Sequence, residues 1–279
     1  MGRTAKVNGI TLHYEKAGSG PTMVLLHGWP QNSHCWRRVI GPLSETHTVI
    51  APDLRGYGLS DKAPTGYDKR TMAADIRALV REITDDSAIT LVGHDRGARV
   101  AHRYALDNPE NVARLVVLDI VPSREAWRGV DRQTGLTAVP WHWQFHLQRD
   151  LPELLVGQNI RGYLEYFFER WTHQRAGLDP AAVDEYVRAF SRPGALRAGF
   201  DDYRASFPYD DDLDNADFAA GKRLTMPTLA LWGDTGIPSQ LDVLDAWRPY
   251  AKDLRGEPIP NCGHFIPEEA PEALLTFLR

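Results

Sequence analysis

The chain has 279 residues, of which 43% are hydrophobic and 25% charged, with a formal net charge of −5. This composition is typical of a globular protein with a sizeable core, and the acidic balance predicts no binding to nucleic acid. The sequence contains no run of 18 uncharged apolar residues and no signal-peptide core at its N-terminus, so we expect a cytoplasmic protein that binds no membrane.

Short β-prone runs alternate with helical patterns through the first 120 residues. The runs lie at residues 10–14, 22–26, 47–50, 89–92 and 115–118. Between the third and fourth runs, apolar residues recur at helical spacing: Met72, Ile76, Leu79, Val80 and Ile83. Another β-prone run at 228–232 precedes a helical segment from about residue 268 to the end. This alternation predicts an α/β fold with a mainly parallel sheet and crossover helices.

The pattern changes between residues 121 and 224, where helical stretches rich in aromatic residues and arginine replace the strands. We therefore predict a core made of residues 1–120 and 225–279 and a helical cap, or lid, made of residues 121–224. Since ligands bind at the carboxyl ends of parallel strands, an insertion joining two such ends is placed to cover the site. The acidic run at 210–217 fits no calcium loop and predicts a solvated connection from the lid to the core.

The most informative motif is Gly-His-Asp-Arg-Gly at residues 93–97, directly after the run at 89–92. A strand that enters such a turn and continues into a helix has the form of a nucleophile elbow, and small residues on either side allow the helix to approach the strand. Asp95 stands at the nucleophile position. A carboxylate that attacks carbon forms an alkyl ester, so the predicted targets carry a halide or an epoxide oxygen.

Two further segments extend this interpretation. Leu-Leu-His-Gly-Trp-Pro at residues 25–30 follows a strand, as an oxyanion loop does, and N–H groups near Trp29 and Arg96 are placed to stabilise an anionic intermediate. His264 lies in a turn before the final helix and is the predicted base that activates water. Asp119 and Asp234 each follow a strand, and the residues alone leave the acid partner of the histidine open between them.

These motifs resemble the α/β-hydrolase superfamily and, within it, the fluoroacetate (haloacetate) dehalogenases. The resemblance covers nearly the whole chain and is strongest at residues 27–36, 52–61, 93–107, 117–120 and 263–272. It implies an α/β-hydrolase fold with an inserted helical lid and favours Asp119 as the acid. It also implies hydrolysis of fluoroacetate to glycolate and fluoride through an ester on Asp95. This reaction needs no cofactor or metal; the expected partners are a small haloacid and, as a homodimer, a second copy of the chain.

Asp95 is followed by Arg-Gly-Ala-Arg, whereas the epoxide hydrolases that the sequence resembles usually carry an aromatic residue directly after the nucleophile. Arg96 and Arg99 lie three residues apart at the start of a helix, where the helix dipole also favours an anion. We predict that they hold the substrate carboxylate. In the structural alternative these arginines, Arg99 in particular, are paired with carboxylates of the lid.

The resemblance further implies a site for the leaving halide in the lid. Its residues are His142, Trp143 and Tyr203. Other functions stay open: an epoxide hydrolase with the same Asp95 and His264, a dehalogenase that prefers chloro- or bromo-acids, and a non-catalytic protein that binds a small carboxylate. An epoxide hydrolase would need a lid tyrosine as proton donor. The candidates are Tyr163, Tyr166 and Tyr203.

Overall fold

The computed structural model describes residues 2–128 and 141–279. Eight strands in these ranges form one sheet. They are β1 (Arg3–Val7), β2 (Ile10–Ala17), β3 (Thr22–Leu26), β4 (Thr48–Pro52), β5 (Ile89–His94), β6 (Val112–Leu118), β7 (Thr228–Gly233) and β8 (Leu254–Ile259). Their spatial order is β1-β2-β4-β3-β5-β6-β7-β8. Strand β2 pairs antiparallel with both neighbours, and the pairs from β4 to β8 are parallel.

Helices connect the strands. Those of the core are α1 (Arg37–Ser44), α2 (Lys69–Ile83), α3 (Arg96–Asp107), α11 (Val243–Trp247), α12 (Ile266–Glu269) and α13 (Pro271–Leu278). Those between β6 and β7 are α4 (Ser123–Arg128), α5 (Trp141–Leu147), α6 (Leu151–Val156), α7 (Ile160–Arg170), α8 (Pro180–Phe190), α9 (Ala195–Ala205) and α10 (Asp211–Ala219). In the described part of the chain, no helix has both the length and the apolar composition needed to cross a membrane.

The predicted α/β fold is confirmed, and the six β-prone runs correspond to β2 through β7. The central strands have apolar side chains on both faces because helices cover the sheet on both sides; all five residues of β3, for example, are buried. The edge strands β1 and β8 were not predicted. Both expose several residues, so their sequences lack the apolar run that identifies a central strand.

The acidic segment at residues 210–217 differs from its prediction as a solvated connection. Most of it forms helix α10, and the side chain of Asp210 is buried, where it accepts a hydrogen bond from the backbone N–H of Lys69 at 2.9 Å. Arg103 on α3 forms ion pairs with Asp214 and Asp217 at 3.7 and 2.5 Å. Part of the acidic run therefore contacts cations and backbone of the core.

Parallel pairing aligns the carboxyl ends of the central strands. Leu26 at the end of β3 pairs with Gly93 near the end of β5, and His94 pairs with Leu118 at the end of β6. The segments that follow these strands therefore meet at one edge of the sheet. Asp95 and Asp119 are the first residues after β5 and β6, so the fold places both at this edge.

Gly97 shows how closely helix α3 approaches the sheet. A Cβ atom at this position would lie 2.3 Å from the carbonyl oxygen of His27 and 2.5 Å from that of Leu26, and backbone atoms cannot move aside cheaply. We expect Gly97→Ala to lower the free energy of unfolding by about 1–3 kcal/mol or more, the usual range for overpacking. Urea denaturation measures this change.

Gly41, on an exposed face of α1, is the matched control. Apart from its two chain neighbours and the backbone of the helix, a Cβ atom there would meet no heavy atom within 4 Å. Alanine is the better helix former by about 1 kcal/mol, but its Cβ meets the ring of Pro42, so Gly41→Ala should lower the stability less than Gly97→Ala does. Equal denaturation midpoints for the two variants would show that the stability does not depend on the close approach of α3 to the sheet.

Candidate active site

The turn between β5 and α3 holds Asp95 in the left-handed backbone region, with φ of 47° and ψ of −118°. Glycines make room for it: a Cβ on Gly93 would lie 2.5 Å from the Cα of Ala98, and one on Gly28 would lie 2.5 Å from the Cβ of Asp95. The N–H of Asp95 donates to the carbonyl of Leu118 at 3.2 Å. The turn thus presents the Asp95 side chain from a fixed and strained backbone.

The two carboxylate oxygens of Asp95 differ in their surroundings. Oδ2 accepts the backbone N–H of Trp29 at 3.0 Å, while Oδ1 accepts no hydrogen bond from any described residue. Burial opposes ionisation of this carboxyl, but the nearby positive charges, that of His264 first, outweigh burial and lower its pKa. Asp95 is therefore ionised at neutral pH, and Oδ1 is its free oxygen.

His264 is held by Asp119. Its Nδ1 donates to Asp119 Oδ2 at 2.6 Å, and the same carboxylate accepts the N–H groups of Gly233 at 3.0 Å and Ile237 at 3.1 Å. Burial lowers the affinity of His264 for a proton, but the hydrogen bond and the charge of Asp119 outweigh burial and raise its pKa. His264 Nε2 is buried and has no hydrogen-bond partner among the described residues, so it is free to accept a proton.

Asp234, the alternative acid, has a different role. Its side chain is 39% exposed and accepts the backbone N–H groups of Asn261 and Cys262 at 2.9 and 3.1 Å. These bonds shape the loop that leads to His264, and the Asp234 carboxylate makes no hydrogen bond to the imidazole. The structure pairs Asp119 with His264, as the resemblance favoured.

A cavity of about 60 Å³ adjoins Asp95. Its described lining residues are Asp95, Arg99, Asp119, Ile120, Val121, Ala126, His142, Trp143, Trp171, Ile237, Pro238 and Leu241. Since one water needs about 10–15 Å³ measured in this way, the cavity holds roughly four waters or one small molecule. Grooves of about 790 and 760 Å³ lie on other surfaces and contain none of the predicted site residues.

Arg99 is the cation that lines this cavity. Its Nη1 donates to Ser123 Oγ at 2.7 Å and to the Val121 carbonyl at 3.4 Å, and the guanidinium lies 4.9 Å from the centre of the Trp143 ring. Within the described ranges Arg99 forms no ion pair with a carboxylate. Burial, followed by the positive charge of Arg96, lowers the pKa of Arg99 to about 10, so the group is still a cation at neutral pH.

Arg96 is held by the lid instead. Its Nε and Nη2 donate to Asp202 Oδ1 at 3.2 and 2.7 Å, and Nη2 also donates to Ser206 Oγ at 2.6 Å. The buried carboxylate of Asp202 also pairs with Lys69 and accepts the hydroxyl of Tyr57. Arg96 is absent from the cavity lining described above, although its Nη1 has no partner. The pairing with a lid carboxylate that the sequence suggested for Arg99 is thus found for Arg96.

The structure brings the three predicted halide-binding residues together beside Trp29. All three are buried, and the Tyr203 ring centre lies 5.7 Å from that of His142 and 6.3 Å from that of Trp143. His142 and Trp143 line the cavity, whereas Tyr203 packs behind them with Arg96 over its ring. Their polar atoms make no hydrogen bond to another described residue. Burial lowers the pKa of His142 well below its ordinary value, so its imidazole is neutral.

Trp171 was not predicted, because it belongs to none of the motifs and its position depends on the packing of the lid. It lines the cavity, and its carbonyl accepts the backbone N–H of His264 at 2.7 Å. His94 reinforces this region by donating from Nε2 to the carbonyl of His264 at 2.7 Å. In residues 2–128 and 141–279 no three His, Cys, Asp or Glu side chains converge as metal ligands would.

Comparison with known proteins agrees with this architecture. Residues 21–271 match the family described as the alpha/beta hydrolase fold. A soluble epoxide hydrolase from Corynebacterium sp. (strain C12) is 38% identical, with 97% of this chain and 93% of the relative covered. A fluoroacetate dehalogenase from Burkholderia sp. is 37% identical, with 99% and 92% covered.

A solved structure gives the same result. The crystal structure of Cfl2 from Burkholderia cenocepacia matches with a TM-score of 0.89 and 37% identity, over 100% of this chain and 94% of that chain. The chain belongs to the alpha/beta hydrolase fold family. It is a hydrolase, and its similar relatives include both a dehalogenase and epoxide hydrolases.

The pairing of Asp119 with His264 predicts a pH effect. A base must be neutral, so activity is lost as the pH falls through the pKa of His264, which Asp119 raises above its ordinary value of 6.5. Asp119→Asn removes that charge. We expect kcat to fall roughly 10³–10⁴-fold and the remaining activity to persist to lower pH than in the wild type. Steady-state kinetics from acidic to alkaline pH measure both changes.

Asp234→Asn is the control for this experiment, because it removes the charge of the alternative acid and keeps an oxygen that accepts one of the two backbone N–H groups. On the acidic side, the dependence of its kcat on pH (the acidic limb) should coincide with that of the wild type. If instead Asp234→Asn shifts the limb and Asp119→Asn does not, Asp234 is the acid.

Proposed function

We propose that this protein is a haloacetate dehalogenase, which hydrolyses fluoroacetate and chloroacetate to glycolate and halide. The observation that carries this proposal is Arg99, a buried cation that lines the same small cavity as Asp95 and lacks a carboxylate partner among the described residues. A buried guanidinium without an ion pair is costly, and a bound anion would reduce that cost. The volume of the cavity also suits a small acid.

The substrate carboxylate binds at Arg99 in this proposal. A guanidinium offers several N–H donors in a fixed plane, and Arg99 Nε is buried with no partner among the described residues. Arg96 contributes less than Arg99 to carboxylate binding, since Asp202 occupies two of the three nitrogens of Arg96. Its Nη1 remains a second donor. The carboxylate is thus fixed, and the adjacent carbon faces Asp95.

In the first step, Asp95 Oδ1 attacks that carbon, a C–O bond forms and the carbon–halogen bond breaks. The halide leaves with the bonding electron pair towards His142, Trp143 and Tyr203. Their imidazole, indole and phenol groups have no protein hydrogen-bond partner in the described structure, so each is available to donate one hydrogen bond to the halide. Fluoride needs this solvation most, because it is a poor leaving group without it.

In the second step, His264 Nε2 takes a proton from water, and the resulting hydroxide attacks the carboxyl carbon of the Asp95 ester. The N–H of Trp29, which already donates to Oδ2, stabilises the negative charge that develops on that oxygen. Collapse of the intermediate breaks the ester and restores Asp95. Glycolate leaves after its oxygen receives the proton from His264.

Mass spectrometry tests both steps. Asp95→Asn should release no fluoride or chloride. His264→Asn should form the ester but fail to hydrolyse it, so that its intact mass rises by one carboxymethyl group after incubation with chloroacetate. An unchanged mass, under conditions in which the wild type releases halide, would contradict the two-step mechanism. No halide from any haloacetate with the wild-type protein would contradict the proposal itself.

Epoxide hydrolysis is the second candidate, and Tyr203 is the observation that favours it. Besides burial, the charge of Asp95 raises the pKa of Tyr203, so a protonated phenol stands near the nucleophile. Of the other tyrosines, Tyr163 is hydrogen-bonded to His146 at 2.6 Å and Tyr166 is 38% exposed at the lid surface. Diol formation from styrene oxide without halide release from haloacetates would establish this function instead.

Arg99 distinguishes the two functions, because an epoxide has no carboxylate. For Arg99→Met, we expect the ratio of kcat/KM for chloroacetate to that for neutral chloroacetamide to fall about 10–100-fold, the loss of one charge-assisted interaction. Arg99→Lys should restore part of it. Arg114→Met is the control, since the guanidinium of Arg114 donates to the Phe277 carbonyl and Arg114 is absent from the cavity lining. The same ratio in all four proteins would remove the carboxylate-binding role of Arg99.

A further inference from the structure

By their chemistry, the described lining residues of the cavity beside Asp95 form two sets, a polar side and an apolar side. The polar side consists of Asp95, Arg99, Asp119, His142, Trp143 and Trp171. The apolar side consists of Ile120, Val121, Ala126, Ile237, Pro238 and Leu241. The proposed hydrolysis of haloacetates uses the polar side alone. A haloacetate, whose reacting carbon carries two hydrogens, gives the apolar side nothing to bind.

Two residues of the apolar side mark the mouth of the cavity. Ile237 is 38% exposed and Leu241 is 47% exposed, whereas the other described lining residues are buried or half-buried. A side chain that both lines a cavity and reaches solvent lies at its opening. The opening is also fixed relative to the catalytic residues, because the N–H of Ile237 donates to Asp119 Oδ2 at 3.1 Å and that of Leu241 to the Pro238 carbonyl at 2.9 Å.

The in-line geometry of halide displacement determines which part of a substrate can lie at this opening. Asp95 and the leaving halide lie on one line through the reacting carbon, and the carboxylate is directed to Arg99. Two bonds of the carbon remain. In the proposed function Ile237 and Leu241 bind neither the halide nor the carboxylate, so a substituent on one of these bonds that contacts them displaces neither group.

We propose that Ile237 and Leu241 receive an apolar substituent on the reacting carbon, so that the substrate class includes 2-halo acids with a short alkyl chain. The inference rests on the proposed function and adds its specificity-determining residues. The chemistry is unchanged: Asp95 forms the C–O bond, the halide leaves with its electron pair, and water supplies the hydroxyl of the 2-hydroxy acid. Each methylene placed against the apolar side should raise kcat/KM about threefold to fourfold.

The test compares 2-chlorobutanoate with chloroacetate. For each protein the measured quantity is the ratio of kcat/KM for the longer acid to that for the shorter. Leu241→Ala removes apolar surface that contacts the substituent and should lower this ratio about threefold to tenfold, and Leu241→Trp fills the opening and should lower the ratio at least tenfold. Leu59→Ala is the control, because Leu59 is also 47% exposed but lines a groove elsewhere, near His13 and Arg37. Its ratio should equal that of the wild type.

The ratio is informative only for folded protein, so thermal unfolding of each variant accompanies the kinetics. Ile237→Ala removes apolar surface at the second position if Leu241→Ala fails to fold, with the same expected fall in the ratio. An equal ratio in the wild type and in every folded variant at these two positions would overturn the proposal while leaving the dehalogenase function intact. Absence of chloride release from chloroacetate would instead mean that the proposed function fails.

Discussion

The carboxylate of Asp119 joins two later segments of the chain to the end of β6. It accepts hydrogen bonds from the N–H of Gly233 at the end of β7, from the N–H of Ile237 in the following turn, and from His264 beyond β8. A buried carboxylate requires such donors, because desolvation without them costs several kcal/mol. The need to satisfy this one charge therefore fixes the imidazole, and it also fixes the turn that forms the mouth of the cavity. Catalytic geometry and access to the site depend on the same interaction.

A second set of buried charges connects the lid to the core. Asp202 on α9 holds Lys69 from α2 and Arg96 from α3, so a lid helix is joined to two helices of the core. Removal of one partner from such a group typically costs about 3–5 kcal/mol, since the remaining charges stay buried. This cluster also explains the different roles of the two arginines. The lid neutralises Arg96, whereas Arg99 has no such partner in the described structure and keeps its charge for the cavity.

Local patterns in the sequence account for much of this fold. Burial of the central strands requires the apolar runs of β3 and β5, and the tight turn at Asp95 requires its flanking glycines. Each requirement acts on residues that are close in sequence, so the sequence reveals it. The sequence does not predict strand β8, because Arg255 and Glu257 interrupt its apolar pattern at the edge of the sheet. The pairing of Arg96 with Asp202 joins positions 106 residues apart, and Trp171 reaches the cavity through the packing of the lid. The residues next to each of these positions do not predict such contacts. They follow from the tertiary structure alone.

The proposed nucleophile and base suit two reactions, and the charge of the cavity is the feature that favours one of them. Attack by Asp95 and hydrolysis by His264 require the same geometry for a haloacid and for an epoxide. The substrates differ in that only the acid brings a negative charge. Among the described residues, Arg99 lies beside an aromatic ring and donates to neutral oxygens, so its charge favours an anion over a neutral epoxide. The burial of this cation lowers the stability of the protein, and the binding of an anionic substrate would offset that loss.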